Sequence, residues 1–466
     1  MSEDTGEDEA PRRKATILMA EAAEMQGDMC ATMMILAGAR SDHIKQFGSA
    51  AIAERALAAL LHHSRHHVPH YRGPSCSPER FQDMPVLTRA IVQMQSARLT
   101  SDDLHQRCSA EVRTSGSTGQ PVEVVQDYRF ARWNFTADVY AAQSLLGMSY
   151  DNYMKKRRLA VWHRRSGQEF TQSATLQKSR GWEELLYIEP YEVLTADRMS
   201  DYLEVINGHR PSVILAYPGS LQLLARHARV LGVDMHSPEL VISGGELLTD
   251  AMRREISEVF RCPVRNRYGA REVGRIAVEC KLGRLHVLEF HNLVEVLDPS
   301  GQPLPEGEVG RIVVTSLHNY AMPLIRYDIG DTGRIGGGNC PCGSKLPFLE
   351  EVTGRSMHHL VREDGGLVRG GNFIVLLNRE AWIRQFHILQ TNVNEIHVEF
   401  IPMPGVAAPR SAVRELTRSM QLLMGRACRI TWEETDRVPL SLAGKHIYVR
   451  SLVWEDQLTG AGEPDF

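Results

Sequence analysis

The sequence contains no long apolar run and no excess of either charge. Its most apolar early stretch, residues 17–39, includes Glu21, Glu24 and Asp28, so no window offers the roughly 18 to 20 uncharged apolar residues that a membrane span needs. The 53 basic and 57 acidic side chains leave a net charge of −4, which argues against a basic nucleic-acid-binding surface. Hydrophobic residues make up 43% of the chain, which excludes a wholly disordered protein. We expect neither a membrane nor a nucleic acid as partner.

Cysteine is also sparse. Eight cysteines in 466 residues are too few for a disulfide framework. The chain begins MSEDTGEDEA, which is acidic where a secretory signal peptide is basic. We therefore expect a cytoplasmic protein whose cysteines are reduced thiols or metal ligands.

The length predicts two or three domains. Residues 1–14 are polar and charged, and we expect a disordered tail there. From about residue 110, glycine-containing loops alternate with short apolar runs and amphipathic helices, which predicts an α/β domain with mostly parallel sheets. After residue 290 the sequence is rich in strands and turns, which indicates a β-subdomain. We expect this large N-terminal domain to cover residues 15–354 and a small α+β domain to cover residues 355–466.

Four histidines end an early predicted helix, at positions 62, 63, 66 and 67. Their spacing could hold a metal, but Pro69 stops the helix there, and protonated histidine suits a helix C-terminus. We favour a solvated helix end.

The segment TSGSTGQP, residues 114–121, is the sharpest local motif. Its hydroxyl side chains and two glycines leave backbone N–H groups exposed, as a loop around a polyphosphate requires. It is not a Walker A loop, because Gln120 and Pro121 follow the last glycine. Taken alone, such a run is more often an ordinary flexible loop.

Further motifs follow in order: SGGE (243–246), RYGAREVG (267–274), RYDIGDTG (326–333), TGR (353–355) and PLSLAGK (439–445). Together they resemble the core motifs of the adenylate-forming superfamily of acyl-CoA synthetases, adenylation domains and luciferases. Within it the chain is most similar to the phenylacetate-CoA ligase family and its CapK-like, polysaccharide-cluster relatives. The resemblance extends from about His66 to Val453, and the early VPHYRG and DMPVLTR are typical of that branch.

This resemblance implies that a small carboxylic acid reacts with ATP to give an acyl-adenylate, whose acyl group passes to a thiol, most simply that of coenzyme A. A carrier-protein thiol or an amine would use the same first half-reaction. A rival of another class is a non-catalytic regulator that binds adenylate. The implied fold is a large adenylating domain followed by a small, mobile α+β domain.

The resemblance also assigns roles to residues. Thr118, Glu272 and Lys445 would act in catalysis, Glu272 by holding Mg²⁺ and Lys445 by bridging the acid and the α-phosphate. Asp331 and Arg355 would bind the ribose. The β- and γ-phosphates would be contacted by Ser115, Gly116, Ser117, Thr118 and Gly119. The adenine and the start of the acyl channel would be contacted by Gly244, Gly245, Glu246, Tyr268 and Gly269. The acid would be contacted by Trp162, His163, Tyr217, Ser220 and Ala270.

Two segments depart from the family pattern. The paired aspartates that usually follow the GR, the first of them the domain hinge, are replaced by residues 356–359, SMHH. A hinge needs only to tolerate a backbone rotation, so domain movement remains expected. The aromatic acid-binding stretch of phenylacetate ligases is replaced by AVWHRRSG, residues 160–167, so phenylacetate itself is not the expected acid.

A second candidate site consists of Cys280, His286, Cys340 and Cys342. Three thiolates and one imidazole make a closed tetrahedral zinc set with a structural role, and relatives in the family share such a pattern. The alternative is four reduced residues without a metal, because C-x-C is tighter than the usual spacing and 53 residues separate the two halves. The sequence leaves the identity of the acid and the oligomeric state open, although a homodimer is the commonest assembly.

Overall fold

A computed structural model describes most of the chain, with gaps. The described residues are 26–73, 78–113, 122–149, 157–163, 176–179, 183–188, 196–355, 359–403, 405–439 and 447–453. The predicted tail lies outside them. Within these ranges no helix combines the length and the apolar character that crossing a bilayer requires.

Three helices of the described residues follow a capping side chain. The Thr88, Asp127 and Thr249 side chains each accept a hydrogen bond from the backbone three residues on, which caps the helix that follows. The helices are α1 Gln26–Phe47, α2 Ser49–His67, α3 Arg89–Met94, α4 Ser96–Leu99, α5 Tyr128–Ser144, α6 Ala196–His209, α7 Pro218–Leu231, α8 Asp250–Phe260, α9 Gly370–Asn378 and α10 Arg410–Met424.

Twenty strands are described. They are β1 Ser109–Arg113, β2 Glu123–Asp127, β3 Arg158–His163, β4 Leu176–Ser179, β5 Glu183–Ile188, β6 Val213–Ala216, β7 Leu240–Gly244, β8 Val264–Ala270, β9 Gly274–Glu279, β10 Leu285–Val287, β11 Asn292–Leu297, β12 Gly310–Ser316, β13 Tyr327–Gly336, β14 Phe348–Arg355, β15 His359–Val361, β16 Leu367–Arg369, β17 Ile383–Asn392, β18 Glu395–Pro402, β19 Arg429–Glu434 and β20 Val449–Ser451.

One twelve-stranded sheet organises the large part of the chain, in the order β11-β12-β13-β14-β10-β9-β8-β7-β6-β3-β5-β4. Its parallel run, β5-β3-β6-β7-β8, confirms the predicted strand–helix units. The strand-rich segment after residue 290 is also present, but its strands continue the same sheet through antiparallel β9 and β10. The buried strands β6 and β7 alternate between two apolar cores, since Ile214 and Val241 pack on one face and Leu215 and Ile242 on the other.

A four-stranded sheet, β19-β18-β17-β20, forms the C-terminal unit with α9 and α10. This unit packs on α7. The Arg226 guanidinium donates to the Ile383 carbonyl at 2.6 Å and the Asn378 carbonyl at 3.0 Å, while its Nε donates to Glu255 at 2.6 Å. The contact between the two parts of the chain therefore includes a buried, charged side chain.

The histidine-rich end of α2 differs from the expected solvated one. The helix does end just before Pro69, and His62, His66 and His67 are exposed. His63, however, is buried, with its Nε2 3.0 Å from the Tyr320 carbonyl and its ring stacked on Tyr320. Burial lowers the pKa of His63 to about 4, with the charge of Arg107 acting in the same direction. This side chain is a neutral core residue.

Candidate active site

The carboxyl ends of the parallel strands meet at one edge of the large sheet. Strands β3, β6, β7 and β8 are parallel neighbours that end at His163, Ala216, Gly244 and Ala270. Crevices beyond this edge of an open α/β sheet are the usual place for a ligand. The predicted adenine-binding and acid-binding segments therefore lie together.

The glycines of the SGGE motif are required by backbone geometry. A Cβ on Gly244 would lie 2.6 Å from the Arg267 carbonyl oxygen on the neighbouring strand, and Gly245 has a φ of +82°. Glu246 follows, and its Oε2 accepts a 3.4 Å hydrogen bond from the Gly219 amide at the start of α7. This hydrogen bond joins the segment after β7 to the start of α7, and the two glycines themselves place no side chain over the backbone at the strand end.

Tyr268 and Asp331 are 63 residues apart and form a direct hydrogen bond. The Tyr268 hydroxyl donates to Asp331 Oδ2 at 2.7 Å. Asp331 also pairs in register with Arg355, the last residue of β14, whose side chain lies outside the described atoms. The fold thus brings together the residues predicted to bind the adenine and the ribose.

Glu272 is buried in the turn between β8 and β9. Its Oε1 lies 3.5 Å from the Tyr327 hydroxyl and 3.9 Å from the Arg89 guanidinium. The Gln126 side chain on β2 donates to the carbonyls of Arg271, at 2.7 Å, and Glu272, at 3.3 Å. Neither Gln126 nor Arg89 was predicted from the sequence, because both make these contacts only in the folded chain.

The predicted phosphate loop, Ser115 to Gly119, lies outside the described residues. Its flanks are described, and they form the antiparallel hairpin β1–β2, in which Arg113 pairs with Glu123. Through Gln126 this hairpin is tied to the turn that carries Glu272. The strand β2 between the loop and α5 was missed in the sequence, where only the helix was predicted.

Lys445 also lies outside the described residues, but a neighbour is described. Tyr448, three residues further on, is buried beside α7. Burial raises the pKa of Tyr448 well above its ordinary value, and the negative charge of Glu246 adds to the effect. The chain three residues after Lys445 therefore lies near Glu246 of the SGGE motif.

The residues predicted to line the acid pocket lie around the same edge. Tyr217 precedes α7, and Ser220 is buried in its first turn. Trp162 and His163 end β3, with side chains outside the described atoms, and Ala270 ends β8, half-buried. The fold therefore brings all five backbone positions to the strand ends.

The four predicted zinc ligands converge. Their ligand atoms all lie within 4.8 Å of one another, with Cys280 Sγ 3.9 Å from Cys340 Sγ and Cys342 Sγ 3.4 Å from His286 Nε2. Tetrahedral zinc with ordinary bond lengths separates two sulfurs by about 3.8 Å and a sulfur from a nitrogen by about 3.5 Å. The donor set and its spacing therefore fit zinc.

The surroundings of this cluster also suit a metal. His286 Nδ1 lies 3.0 Å from the Leu346 carbonyl, which favours the tautomer that turns the Nε2 lone pair towards the thiols. Burial lowers the pKa of His286, which keeps the ring neutral. Burial raises the pKa of the Cys342 thiol to about 11, so metal binding there must displace a proton.

Comparisons with known proteins find related sequences and related structures. The model of the AMP-binding enzyme family matches residues 184–321. Phenylacetate-coenzyme A ligase of Thermus thermophilus is 36% identical over 175 residues, covering 36% of this chain and 38% of that protein. Protein CapK of Staphylococcus aureus is 22% identical over 259 residues, covering 53% of this chain and 55% of that protein. The aligned segments span less than two thirds of either relative.

Among solved structures, 2-hydroxyisobutyryl-CoA ligase in the postadenylation state, in complex with R3-HIB-AMP, superposes with a TM-score of 0.67. The sequence identity is 16%, and the match covers 89% of this chain and 92% of that one. These findings confirm the α/β fold and the resemblance to the adenylate-forming superfamily, on its phenylacetate-CoA ligase-like and CapK-like branch.

Proposed function

We propose that this chain is an AMP-forming acid–thiol ligase. It activates a small carboxylic acid with ATP and passes the acyl group of the acyl-adenylate to a thiol, most simply that of coenzyme A. The observation that carries the proposal is the 2.7 Å hydrogen bond between Tyr268 and Asp331 beside the glycine backbone of β7. The hydrogen bond supports a common nucleotide site because it joins motifs that are 63 residues apart in the sequence.

In this proposal ATP lies across the strand ends. The backbone of Gly244 and Gly245 approaches the adenine, the Tyr268 ring stacks on it, and Asp331 accepts hydrogen bonds from the ribose hydroxyls. Arg355, in register with Asp331, supports the ribose. The loop from Ser115 to Gly119 holds the β- and γ-phosphates through backbone N–H and hydroxyl groups, with Thr118 nearest to the chemistry.

Glu272 would hold Mg²⁺, which would neutralise charge on the phosphates. A buried carboxylate beside the phosphate-loop hairpin supplies the oxygen donor that this ion prefers. Lys445 would enter from the C-terminal unit and stabilise the charge that develops when the acid attacks the α-phosphate and pyrophosphate leaves. The described position of Tyr448, beside Glu246, supports this reach.

The second part of the proposal concerns the molecule that accepts the acyl group. Coenzyme A is favoured because two of the relatives are named phenylacetate-coenzyme A ligases. A carrier-protein thiol or an amine would leave the first half-reaction unchanged. Domain boundaries at residues 354 and 355, a rotating C-terminal unit and a homodimer remain proposals from the sequence.

The cysteine cluster is proposed as a structural zinc site. All four protein donors point at one another and leave no position for a water, as in closed structural sites. The metal would tie β10 to the CPCG segment between β13 and β14. It would thereby stabilise the sheet at β10. This strand lies next to β9, which begins after the turn that carries Glu272.

The test is the exchange of labelled pyrophosphate into ATP across a broad acid library. We expect acid-dependent, Mg²⁺-dependent exchange, and Glu272→Gln should lower it by about 100-fold because one charge of the ion's environment is lost. The matched control is Glu289→Gln, a half-buried carboxylate that is hydrogen-bonded to Ser49 on α2, and it should leave exchange unchanged. ATP binding without exchange for any acid would instead support the regulator.

A further inference from the structure

The turn between β8 and β9, which carries Glu272, is hydrogen-bonded to amide side chains from three other elements. The first is Gln126 of β2, which donates to the Arg271 carbonyl at 2.7 Å and to the Glu272 carbonyl at 3.3 Å. These carbonyls belong to the two peptide groups on either side of Glu272, so both backbone dihedral angles of Glu272 are restrained. The direction in which the Glu272 side chain leaves the turn therefore depends on β2.

The second amide is that of Asn292, the first residue of β11. Its side-chain nitrogen donates to the Val273 carbonyl at 2.9 Å and to the Arg275 carbonyl at 2.7 Å. Asn292 is fully buried, and these two bonds use both of its side-chain N–H groups. The opposite orientation of the amide would direct its oxygen at two carbonyl oxygens, so the geometry determines which atom is the donor.

The third amide is that of Asn134 on α5, whose Oδ1 accepts a 2.9 Å hydrogen bond from the Arg275 backbone N–H. Gly274 allows this approach, because its φ is +73° and a Cβ there would collide with the Asn134 side chain. Five consecutive peptide groups, from the one that joins residues 271 and 272 to the one that joins residues 275 and 276, thus each bond to an amide side chain.

The Glu272 carboxylate, by contrast, makes only long contacts among the described residues. Its Oε1 lies 3.5 Å from the Tyr327 hydroxyl and 3.9 Å from the Arg89 guanidinium. Hydrogen bonds to an ionised group are usually shorter than 3 Å. The backbone of this turn is therefore held firmly, whereas the carboxylate that it carries remains available to a ligand.

Gln126 also connects the turn to the phosphate-loop hairpin. It pairs with Ala110 of β1, and its strand follows the predicted phosphate loop. In the proposed function one Mg²⁺ ion binds both Glu272 and phosphate oxygens, so the turn and the hairpin must keep a fixed separation. Metal sites tolerate deviations of only about 0.2 Å in the distance to a ligand. A side chain that bonds one element directly to the other supplies such a fixed separation.

We propose that Asn292 and Gln126 are positioning residues for the ion that Glu272 holds. This inference rests on the proposed function, because it concerns the Mg²⁺ site of the same reaction. Both residues act through the backbone of the turn and set the place at which Glu272 presents its carboxylate. Removal of a residue that orients a metal ligand typically weakens metal binding by about 10- to 100-fold.

The test is pyrophosphate exchange at constant ATP and increasing Mg²⁺. Asn292→Asp keeps the shape of the side chain but replaces two N–H donors by an oxygen that faces two carbonyls. We expect the Mg²⁺ concentration for half-maximal exchange to rise about 10-fold, and the rate to recover when Mg²⁺ is raised to saturation. The Kd for AMP and the KM for the acid should stay at their wild-type values, because neither depends on the ion.

Gln126→Met provides a second variant at a half-buried position, and it should shift the Mg²⁺ dependence in the same direction. It carries the test if Asn292→Asp fails to fold. The matched control is Gln390→Glu. Gln390 is a buried amide of β17 that donates to the carbonyls of Val361, at 2.7 Å, and Val393, at 3.3 Å. Its loss in the C-terminal unit should lower the melting temperature and leave the Mg²⁺ dependence unchanged.

Two results would overturn the inference. One is a wild-type Mg²⁺ dependence in the folded Asn292 and Gln126 variants. The other is an equal shift in Gln390→Glu, because the effect would then come from general destabilisation of the chain.

Absence of exchange with every acid would refute the proposed function, and ATP binding then tests this inference. The Kd for ATP is measured by calorimetry with Mg²⁺ and with EDTA. We expect Mg²⁺ to tighten binding in the wild type and in Gln390→Glu, and to do so about 10-fold less in Asn292→Asp. The Kd in EDTA should be the same in all three proteins. No effect of Mg²⁺ in the wild type, or an equal effect in all three, would overturn the inference.

Discussion

At the scale of single residues, the hydrogen bond between Tyr268 and Asp331 has a separable role. Tyr268→Phe keeps the ring and removes only the hydroxyl that orients the carboxylate. We expect the Kd for AMP, measured by calorimetry, to rise by about 10-fold, the usual effect of losing a hydrogen bond to a charged group. Exchange measured at saturating ATP should be unchanged.

Tyr140→Phe provides the comparison, since Tyr140 is a mostly buried tyrosine that packs against Phe290. It should leave AMP binding at the wild-type value. An unchanged Kd in Tyr268→Phe would show that Asp331 does not depend on this hydroxyl for its position.

Buried histidines predict the acid sensitivity of the fold. The unfolded His291 binds a proton below its ordinary pKa of 6.5, whereas the folded one does not until about 3. Stability is therefore full above pH 6.5 and falls as the pH is lowered towards 3. At pH 5 the loss is about 2 kcal/mol for this residue, and His63, with a pKa of about 4, adds to it.

Urea unfolding at pH 7.5 and pH 5.0 measures this loss. His291→Gln, which stays neutral, should show a smaller difference between the two pH values than the wild type, whatever its absolute stability. His105→Gln, at an exposed position, should retain the wild-type difference. Equal differences in all three proteins would contradict the assignment to His291.

At the scale of elements, the cysteine cluster determines how firmly β10 is held. This strand has three residues and pairs with β9 and β14, so it has few hydrogen bonds of its own. We expect about one zinc per chain by elemental analysis, and Cys342→Ser should lose the metal and melt several degrees lower. Cys108→Ser, at a half-buried cysteine outside the cluster, should keep both values. A metal-free wild type with the same melting temperature as Cys342→Ser would refute the site.

The RYDIGDTG motif contains one residue, Arg326, whose role is structural. Arg326, the first residue of RYDIGDTG, is buried and donates to the carbonyls of Gln82 and Met84 and to Glu295. It fixes the entry to β13 and does not reach the nucleotide side. The motif thus combines a structural anchor at its start with the proposed ribose ligand, Asp331, five residues later.

At the scale of the whole molecule, we expect Arg226 to stabilise the packing of the C-terminal unit on α7. Arg226→Met removes its hydrogen bonds to the carbonyls of Ile383 and Asn378 and leaves Glu255 without its charged partner. We expect a loss of about 3 kcal/mol in unfolding free energy, as for other broken buried ion pairs. Amide exchange should also become faster in residues 378–386.

Arg229→Met is the control for this variant. Arg229 lies on the same helix and pairs with Glu258, but both side chains are more than half exposed, so their pair contributes little. Wild-type exchange rates in residues 378–386 of Arg226→Met would mean that other contacts hold the unit in place.

Much of the fold was predictable because it depends on local patterns. The apolar runs predicted β6 and β7, and the amphipathic stretch from Ser220 to Leu231 became α7, which begins two residues earlier at Pro218. The link through β9 and β10 was not predictable. Strand β10 has only three residues, and a bulge between Tyr268 and Gly269 shifts the register of β8 against β9, so no regular alternation marks these strands as a continuation of the parallel sheet.

The sequence alone determined which chemistry the chain contains. Glycine-rich motifs, the tyrosine of RYGAREVG, carboxylates, thiols and a late lysine follow one another along the chain, and side-chain chemistry is a local property that needs no folding. Tertiary structure alone decided which of these groups meet. The Tyr268–Asp331 hydrogen bond, the 3.9 Å approach of Cys280 to Cys340, and the grouping of Arg267 and Arg275 around Asp138 depend on strand register and helix packing. Register and packing are set by the whole buried core, so they cannot be read from any one segment.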